Sequence, residues 1–469
     1  MTAMMNEAAK RRFEAILGPD YFSTRLEDLV LFSSDGTNQR GYRPDGVARP
    51  ADTAEVAALV RTAREFKIPI IPRGAGSGLS GGALPVAGGL VVVMTRFNRI
   101  LEIDADNLVA EVEPGVVTSD FQAAVEARGL FFPPDPASRE FSTLGGNAAE
   151  NAGGTRAVKY GVTRDYILGL EAVIGTGEIV RAGVRTAKGV VGYDLTRLLV
   201  GSEGTLGVIT KLTLKLLPAP EARETLIAYY ADMADAGRTV AALTAARIIP
   251  ATLEFMDRAS INCAEDYLGL GLDRNAGALL LIETDGPREQ ARLEAERAAR
   301  LCRENSAHPV RLAETKAEAE AMWRARRALS PALFRAASGK FNEDIVVPRS
   351  LIPEMIARVE AIARELETRI ICFGHAGDGN IHVNVMYDLH DPDQTARAHR
   401  AVRAVFETAL TLGGTLSGEH GIGTTKKEYI SLEIKPETLD LMRRIKAAFD
   451  PDGLMNPGKV FPSGSKPDR

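Results

Sequence analysis

The chain has 469 residues, enough for two or three domains, and its 45% apolar and 25% charged residues are typical of a folded globular protein. A net charge of −5 gives no reason to expect a nucleic-acid partner. The three cysteines lie far apart without a CxxC pair, which argues against an iron–sulfur cluster or a disulfide framework and indicates a reducing compartment. No secretory signal and no apolar run near the ~20 residues of a membrane span are visible, so we expect a cytoplasmic protein without a transmembrane segment, either free or peripheral to the inner face of the membrane.

The N-terminal region is predicted to be helical and then to alternate between helix and strand. Apolar residues at helical spacing predict helices over residues 5–32. Asp52 or Thr53 is the predicted N-cap of a further helix that ends near Lys67. A short apolar strand over residues 68–71 follows, and this order of elements indicates an α+β chain.

Directly after this strand comes the most distinctive loop of the chain, with five glycines in residues 74–82. Such a run leaves backbone N–H groups unscreened, so it can fold into a nest that holds an anionic phosphate. Gly76, Gly78 and Gly81 also fit the dinucleotide fingerprint, but that motif opens a helix, whereas the apolar run 90–94 predicts a second strand. An NAD site is therefore not favoured, and the alternatives are a phosphate cradle or an ordinary hairpin loop.

Two further glycine-rich segments follow in the same half of the chain. Residues 132–154 contain proline and glycine clusters, which would let the backbone approach a flat ligand closely. Residues 192–215 predict a short helix, a glycine turn and a strand. Pro218 and Pro220 then mark a domain boundary.

After Pro220 the pattern changes to long strands and to helices rich in Ala, Glu and Arg. Residues 224–230 and 277–284 predict strands, and residues 287–304 predict a helix. We expect an antiparallel sheet with helices on one side.

The histidines of this half occur in two glycine turns. In the first, a predicted strand–turn–strand unit, His382 and Asn384 share one face of the second strand and His375 lies across the turn. Glu419 and His420 occupy the second turn. A lone histidine near a strand is usually structural, but two imidazoles and one carboxylate make the three-ligand set of a catalytic divalent ion.

A basic helix beside the single tryptophan supplies a candidate anion site. Arg326 and Ser330 are four residues apart and are predicted to share one helix face, whereas Arg324 and Arg327 point elsewhere. A guanidinium can bind a carboxylate through two hydrogen bonds, and Lys340 is a second candidate partner. The structural alternative is a solvated basic helix.

The three glycine-rich segments resemble the flavin-binding domain of the vanillyl-alcohol oxidase / p-cresol methylhydroxylase superfamily. From about Pro44 to its end the chain is similar to the FAD-linked D-2-hydroxy acid dehydrogenases of that superfamily. The resemblance implies an α+β fold with a two-subdomain FAD-binding domain over residues 1–220 and a C-terminal substrate and metal domain of antiparallel sheet plus helices over 221–445. Residues 446–469 are then expected to return to the FAD domain.

The resemblance also assigns residues to the cofactors. The first loop would hold the FAD pyrophosphate, and because that loop contains no His and no Cys we expect the FAD to be non-covalent. A divalent metal, zinc in many relatives, would be bound by His375, His382 and Glu419. The implied FAD-binding residues are Arg73, Gly74, Ala75, Gly76, Ser77, Gly78, Leu79, Pro134, Asp135, Ser138, Gly145, Gly146, Asn147, Ala152, Gly154, Glu203, Ile209 and Asn456.

The implied activity is oxidation of a D-2-hydroxy acid, with D-lactate favoured, to the 2-oxo acid, with hydride transfer to flavin N5. His420 would be the base, and Arg326, Ser330, Lys340 and Asn384 would face the substrate. D-2-hydroxyglutarate and glycolate are alternative substrates. The electrons would pass to an external acceptor, namely an electron-transfer flavoprotein, a quinone or an iron–sulfur subunit, and a homodimer is one expected assembly. On the residues alone, a metal-dependent hydrolase with the same three ligands and a non-catalytic flavin subunit stay open.

Overall fold

The computed structural model describes residues 5–463, which form mixed helices and strands as predicted. The strands are β1 Phe22–Ser23, β2 Gly46–Ala48, β3 Ile70–Arg73, β4 Leu90–Val93, β5 Ile100–Asp104, β6 Val109–Val112, β7 Leu130–Phe131, β8 Ile167–Ile174, β9 Ile179–Gly183, β10 Gly207–Lys215, β11 Leu217–Pro218, β12 Ala222–Tyr230, β13 Thr252–Asp257, β14 Ala278–Gly286, β15 Val310–Leu312, β16 Gly339–Val346, β17 Arg369–His375 and β18 Asn380–Tyr387. The α-helices are α1 Glu7–Leu17, α2 Leu26–Leu31, α3 Thr53–Phe66, α4 Thr118–Glu126, α5 Leu144–Glu150, α6 Ala157–Tyr160, α7 Leu195–Leu199, α8 Met233–Ala245, α9 Arg258–Leu268, α10 Arg288–Glu304, α11 Lys316–Arg327, α12 Leu329–Leu333, α13 Ile352–Glu365, α14 Pro392–Thr411, α15 Ile430–Glu433 and α16 Pro436–Phe449. Among residues 5–463, no helix is both long enough and apolar enough to cross a bilayer.

The described chain folds into two compact units. The first contains residues 5–152, 162–219 and 419–463, and the second contains residues 153–161 and 220–418. The units differ from the predicted boundaries at two places, each with a local cause. Residues 153–161 lie with the second unit because Tyr160 donates to Asp285 at 2.7 Å, and the segment after Gly418 lies with the first because Gly423 N–H donates to Glu203 at 2.6 Å.

A four-stranded sheet in the first unit, in the order β1-β2-β4-β3, carries the glycine loop. Asp52 caps α3 by accepting from Glu55 N–H at 2.8 Å, as predicted. Strands β3 and β4 pair in parallel, with Ile70 opposite Leu90. The hairpin interpretation of the glycine loop is therefore wrong, because a hairpin joins antiparallel strands whereas this loop crosses between parallel ones.

A second, five-stranded antiparallel sheet completes the core of the first unit, in the order β5-β6-β10-β8-β9. Val173 of β8 and Val208 of β10 are buried in the same apolar cluster as Ile70, so the two sheets share one core. The end of the chain joins this core as predicted, since Met455 is fully buried there and Ile70 N–H donates to Leu454 O at 2.8 Å.

The second unit is built on a seven-stranded antiparallel sheet in the order β15-β12-β14-β13-β17-β18-β16. Leu279 and Leu281 of β14 pack in one apolar cluster with Leu329 of α12. Thr284, on the opposite face of β14 by strand alternation, donates to Ala291 O of α10 at 2.7 Å. Helices therefore cover both faces of the sheet, and the expectation of helices on one side is corrected.

Candidate functional site

The glycine loop of the first unit presents backbone donors that the protein does not use. Among the described residues, no protein acceptor takes a hydrogen bond from the backbone N–H groups of residues 75–82. Gly76 has a φ of +75°, and a Cβ at this position would overlap the Arg73 guanidinium. Arg73 itself is buried and donates to Ser34 O at 2.8 Å. Free N–H groups beside a buried guanidinium fit the phosphates of a dinucleotide.

The second glycine-rich segment packs directly against this loop. Thr143 is the N-cap of α5 and accepts from Gly146 N–H at 3.2 Å. A Cβ at Gly74 would overlap the Thr143 hydroxyl, so the two segments approach within backbone distance. Asn147 is buried and donates to Thr118 Oγ1 at 2.8 Å. The absence of side chains at Gly74 and Gly146 therefore lets the glycine loop and the start of α5 pack closely against each other.

The third segment and the end of the chain meet at Glu203, which has a φ of +52°. Its carboxylate accepts from Ile422 N–H at 2.8 Å and from Gly423 N–H at 2.6 Å. Asn456 Nδ2 donates to Gly82 O at 2.9 Å and to Glu203 O at 2.7 Å. The side chain of Asn456 thus ties the glycine loop to the third segment.

Buried ionisable groups surround this junction. Burial raises the pKa of Glu203, although the two backbone N–H groups oppose the shift. Burial, followed by the charge of Glu203, raises the pKa of Glu150 well above its usual value. Burial also raises the pKa of Asp35 and lowers the pKa of Lys459 to about 8. Sequence reasoning missed Asp35, which lies outside the glycine-rich segments, and Glu150, which lies within residues 132–154 but is distinguished only by its tertiary surroundings.

Several other predicted FAD residues are buried or form hydrogen bonds or ion pairs with other residues of the protein. Asp135 forms an ion pair with Arg139 at 2.9 Å, Ile209 is buried in β10, and Gly154 belongs to the second unit. Carbonyl oxygens that accept hydrogen bonds from protein donors belong to Pro134, Ser138 and Ala152.

In the second unit, the β17–β18 hairpin brings two histidines together. His382 lies opposite Phe373, and His375 lies opposite Asn380. The Nε2 atoms of His375 and His382 are 3.4 Å apart, and both side chains are buried. Two nitrogens bound tetrahedrally at zinc distances of about 2.0–2.1 Å lie about 3.4 Å apart, so the pair fits two ligands of one ion.

Glu419 directly follows Gly418, the last residue of the second unit, and is itself the first residue of the final segment of the first unit. Gly418 N–H donates to the backbone O of Asp344 at 2.9 Å. One ligand atom each from His375, His382 and Glu419 lies within 4.8 Å of the others, a cluster that could hold a metal ion. His420 is the next residue and is half-buried.

A residue that the sequence analysis did not select, Glu254 of β13, joins this pair to the predicted anion site. Its exposure is 0%, and its Oε1 lies 2.5 Å from His375 Nδ1. Its Oε2 accepts from Arg326 Nε at 2.7 Å. A glutamate between Leu253 and Phe255 in a strand was the available signal, because buried carboxylates require partners.

Arg326 lies beside the histidine hairpin, but it does not share one helix with Ser330 as predicted. Its guanidinium is 4.8 Å from the Phe373 ring, and its side chain is 11% exposed. Helix α11 ends at Arg327 and α12 begins at Leu329, so Arg326 and Ser330 belong to two helices rather than one. Ser330 is exposed and accepts from Lys340 Nζ at 3.4 Å.

Two other predicted residues also lie near this face of the sheet. Lys340 Nζ is 4.5 Å from the Phe334 ring, and burial lowers its pKa to about 8. Asn384 is fully buried, and its Nδ2 donates to Ile371 O at 3.3 Å. Arg324 and Arg327 are exposed, as expected for residues that point elsewhere.

Comparison with known families accounts for both units. A model of the FAD-binding domain matches residues 44–183, and a model of the C-terminal domain of FAD-linked oxidases matches residues 219–460. The chain is 45% identical to the glycolate oxidase subunit GlcD of Bacillus subtilis, over 98% of this chain and 97% of that protein. It is 39% identical to a D-lactate dehydrogenase of Anaerostipes hadrus, over 89% of this chain and 90% of that protein.

The fold also matches solved flavoprotein structures. A p-cresol methylhydroxylase with bound substrate superposes with a TM-score of 0.80 at 18% identity, covering 98% of this chain and 97% of that one. An alkyldihydroxyacetonephosphate synthase superposes with a TM-score of 0.77 at 20% identity, covering 96% and 86%. At these identities the likeness establishes the fold, and the family follows from the sequence matches. The unused N–H groups of the glycine loop, the matched FAD-binding domain and the matched C-terminal domain agree, and the chain belongs to the FAD-linked oxidase family of FAD-dependent oxidoreductases.

Proposed function

We propose that this protein oxidises a small D-2-hydroxy acid, with D-lactate favoured and glycolate or D-2-hydroxyglutarate as alternatives, to the 2-oxo acid. The observation that carries the proposal is the contact of Glu254 with both Arg326 and His375, which supports a guanidinium able to bind an anion close to histidines able to bind a metal. A 2-hydroxy acid needs both features, because its carboxylate must be held while its neighbouring hydroxyl is deprotonated. Relatives named glycolate oxidase subunit and D-lactate dehydrogenase support this substrate class.

The chain's own residues divide the work as follows. Arg326 binds the substrate carboxylate, and Lys340, charged below about pH 8, is its second cationic partner. His420 takes the proton of the hydroxyl as general base. Asn384 and Ser330 complete the proposed substrate-facing set.

The proposed reaction needs two groups besides the protein, FAD and a divalent ion. Residues 73–82, which contain no His or Cys, would hold FAD without a covalent bond, and FAD would supply the acceptor for the hydride from substrate C2. His375, His382 and Glu419 would hold a divalent ion, zinc in our proposal, and that ion would supply polarisation of the substrate hydroxyl. The Nε2 separation of the two histidines supports such an ion.

Electrons leave to an external acceptor, an electron-transfer flavoprotein, a quinone or an iron–sulfur subunit. The three cysteines support this, because they are buried singly and cannot assemble a cluster within the chain. A cytoplasmic location, at or near the membrane, and a homodimer stay predictions. The metal-dependent hydrolase is not favoured, since it leaves the FAD-binding domain without a use.

The test measures bleaching of the flavin absorbance under anaerobic conditions and turnover with an artificial electron acceptor. D-lactate, L-lactate, glycolate and D-2-hydroxyglutarate are compared, and the L-enantiomer is the matched control. We expect bleaching by D-lactate or glycolate and little by L-lactate. An FAD-loaded enzyme that no 2-hydroxy acid reduces would overturn the proposal, and preference for D-2-hydroxyglutarate would replace D-lactate with the dicarboxylate.

A further inference from the structure

We propose that Glu254 is a positioning residue. It holds His375 in the tautomer that a metal ion requires, and it holds Arg326 beside the β17–β18 hairpin that carries His375. This inference rests on the proposed metal site and carboxylate site. It adds a residue outside both, since Glu254 acts through His375 and Arg326.

The position of Glu254 follows from strand register. Strands β13 and β17 pair antiparallel, with Glu254 opposite His375. Arg326, in the last turn of helix α11, donates from Nε to the other carboxylate oxygen at 2.7 Å. Glu254 is 0% exposed, so its carboxylate needs polar partners inside the protein to offset the cost of burial.

The chemistry of the two partners determines the proton on His375. A carboxylate only accepts, and the Nε–H of arginine only donates. The 2.5 Å contact between Glu254 Oε1 and His375 Nδ1 therefore requires the proton on Nδ1, which leaves the Nε2 lone pair for a metal. That Nε2 atom is the one that lies 3.4 Å from His382 Nε2.

A matched control lies on the neighbouring strand. Glu283 of β14 is also buried and lies opposite Thr252 of β13. It accepts from Trp323 Nε1 of α11 at 3.2 Å and from Thr225 Oγ1 at 3.3 Å. Glu283 therefore fastens the same helix to the same sheet, but it contacts neither Arg326 nor a histidine of the cluster.

Glutamine at position 254 separates positioning from packing. The volume is nearly the same, but one carboxylate oxygen becomes an amide donor. Glutamine can thus accept from His375 or from Arg326, but not from both. We expect Glu254→Gln to weaken zinc binding about 10–100-fold, to raise KM for D-lactate, or to do both, and Glu283→Gln to do neither.

The experiment titrates metal-free, FAD-loaded protein with zinc against a chromogenic chelator, without substrate, and measures KM separately. The nitrogen NMR shifts of the six ¹⁵N-labelled histidine side chains report which ring nitrogen of His375 carries the proton. If Glu254→Gln does not fold, Glu254→Asp is used, because it keeps the charge but is too short to contact both partners. Parent-like zinc affinity, tautomer and KM in a folded variant would overturn the inference. If zinc binds normally to the parent but no hydroxy acid is oxidised, only the proposed function fails.

Discussion

At the scale of single residues, the partly buried Lys340 and the buried Lys459 lose their positive charge at a lower pH than an exposed lysine does. Burial lowers the pKa of Lys340 to about 8 and that of Lys459 to about 8. Lys459 is tied to the protein, since it donates to Leu84 O at 2.6 Å and to Asn456 Oδ1 at 3.0 Å. Lys340 lies on β16 in the second unit, where we propose that it meets the substrate carboxylate.

We expect KM of the parent enzyme for D-lactate to rise as the pH increases through about 8, because Lys340 is cationic below its folded-state pKa and neutral above it. Lys340→Met should show a raised KM already at pH 7 and should lose this pH dependence. The loss of one charged contact predicts a change of about 10-fold or more. KM is measured from pH 6.5 to 9.5, with Lys316→Met, an exposed lysine of α11, as control. A parent-like KM in Lys340→Met would remove Lys340 from the binding site.

At the scale of elements, the β17–β18 hairpin is what places the two histidines, and its turn depends on Gly379. Gly379 has a φ of +92°, and a Cβ at this position would overlap the Val347 carbonyl oxygen. The same turn is fastened on both sides, since Gly379 N–H donates to His375 O and Val347 N–H donates to Gly379 O, each at 3.1 Å. The turn therefore tolerates neither a side chain nor a backbone shift.

Gly379→Ala should lower the free energy of unfolding of the second unit on the order of 3–5 kcal/mol and should weaken zinc binding. Gly269→Ala is the control, because Gly269 also has a positive φ, +62°, but a Cβ there would meet nothing within 4 Å. The control should lower the free energy of unfolding by only about 1–2 kcal/mol, the cost of a positive φ in a residue that has a Cβ. Chemical denaturation and zinc content are measured for both. Equal destabilisation of the two variants would show that the contact with Val347 does not matter.

At the scale of the whole molecule, the glycine loop proposed for FAD and the two histidines proposed for the metal belong to different units, whereas the third proposed metal ligand, Glu419, belongs to the first unit. The glycine loop and its partners lie in the first unit, whereas His375 and His382 lie in the second. Hydrogen bonds within the first unit, such as those of Asn456, hold the glycine loop without involving either histidine. FAD retention and metal retention should therefore be separable.

We expect chelator treatment to abolish turnover while the protein keeps its FAD. His382→Ala should give the same pattern, because it removes a proposed ligand of the metal and lies outside the unit that contains the glycine loop. FAD is quantified in the supernatant after heat denaturation, which also tests the non-covalent attachment. Flavin that precipitates with the protein, or full turnover in a zinc-free sample, would contradict these expectations.

Features that depend on residues close together in the chain could be predicted from the sequence. Glycine-rich runs, an Asp N-cap and alternating strands specify loops, helix starts and hairpins through neighbouring residues, so the glycine loop, α3 and the β17–β18 hairpin were predictable. The comparisons confirm the flavoprotein family that these motifs suggested, and the structure contains the predicted antiparallel sheet of the second unit. The individual site residues stay predictions.

The contacts between segments that are distant in the chain could be identified only from the tertiary structure. The parallel pairing of β3 with β4, the helices on both faces of the second sheet and the end of α11 at Arg327 depend on packing between elements. Glu254 is the clearest case, because it is 72 residues from Arg326 and 121 from His375 in the chain, and no local pattern links the three. Burial of a carboxylate demands partners, but strand register and helix placement select which ones, and these are properties of the folded chain.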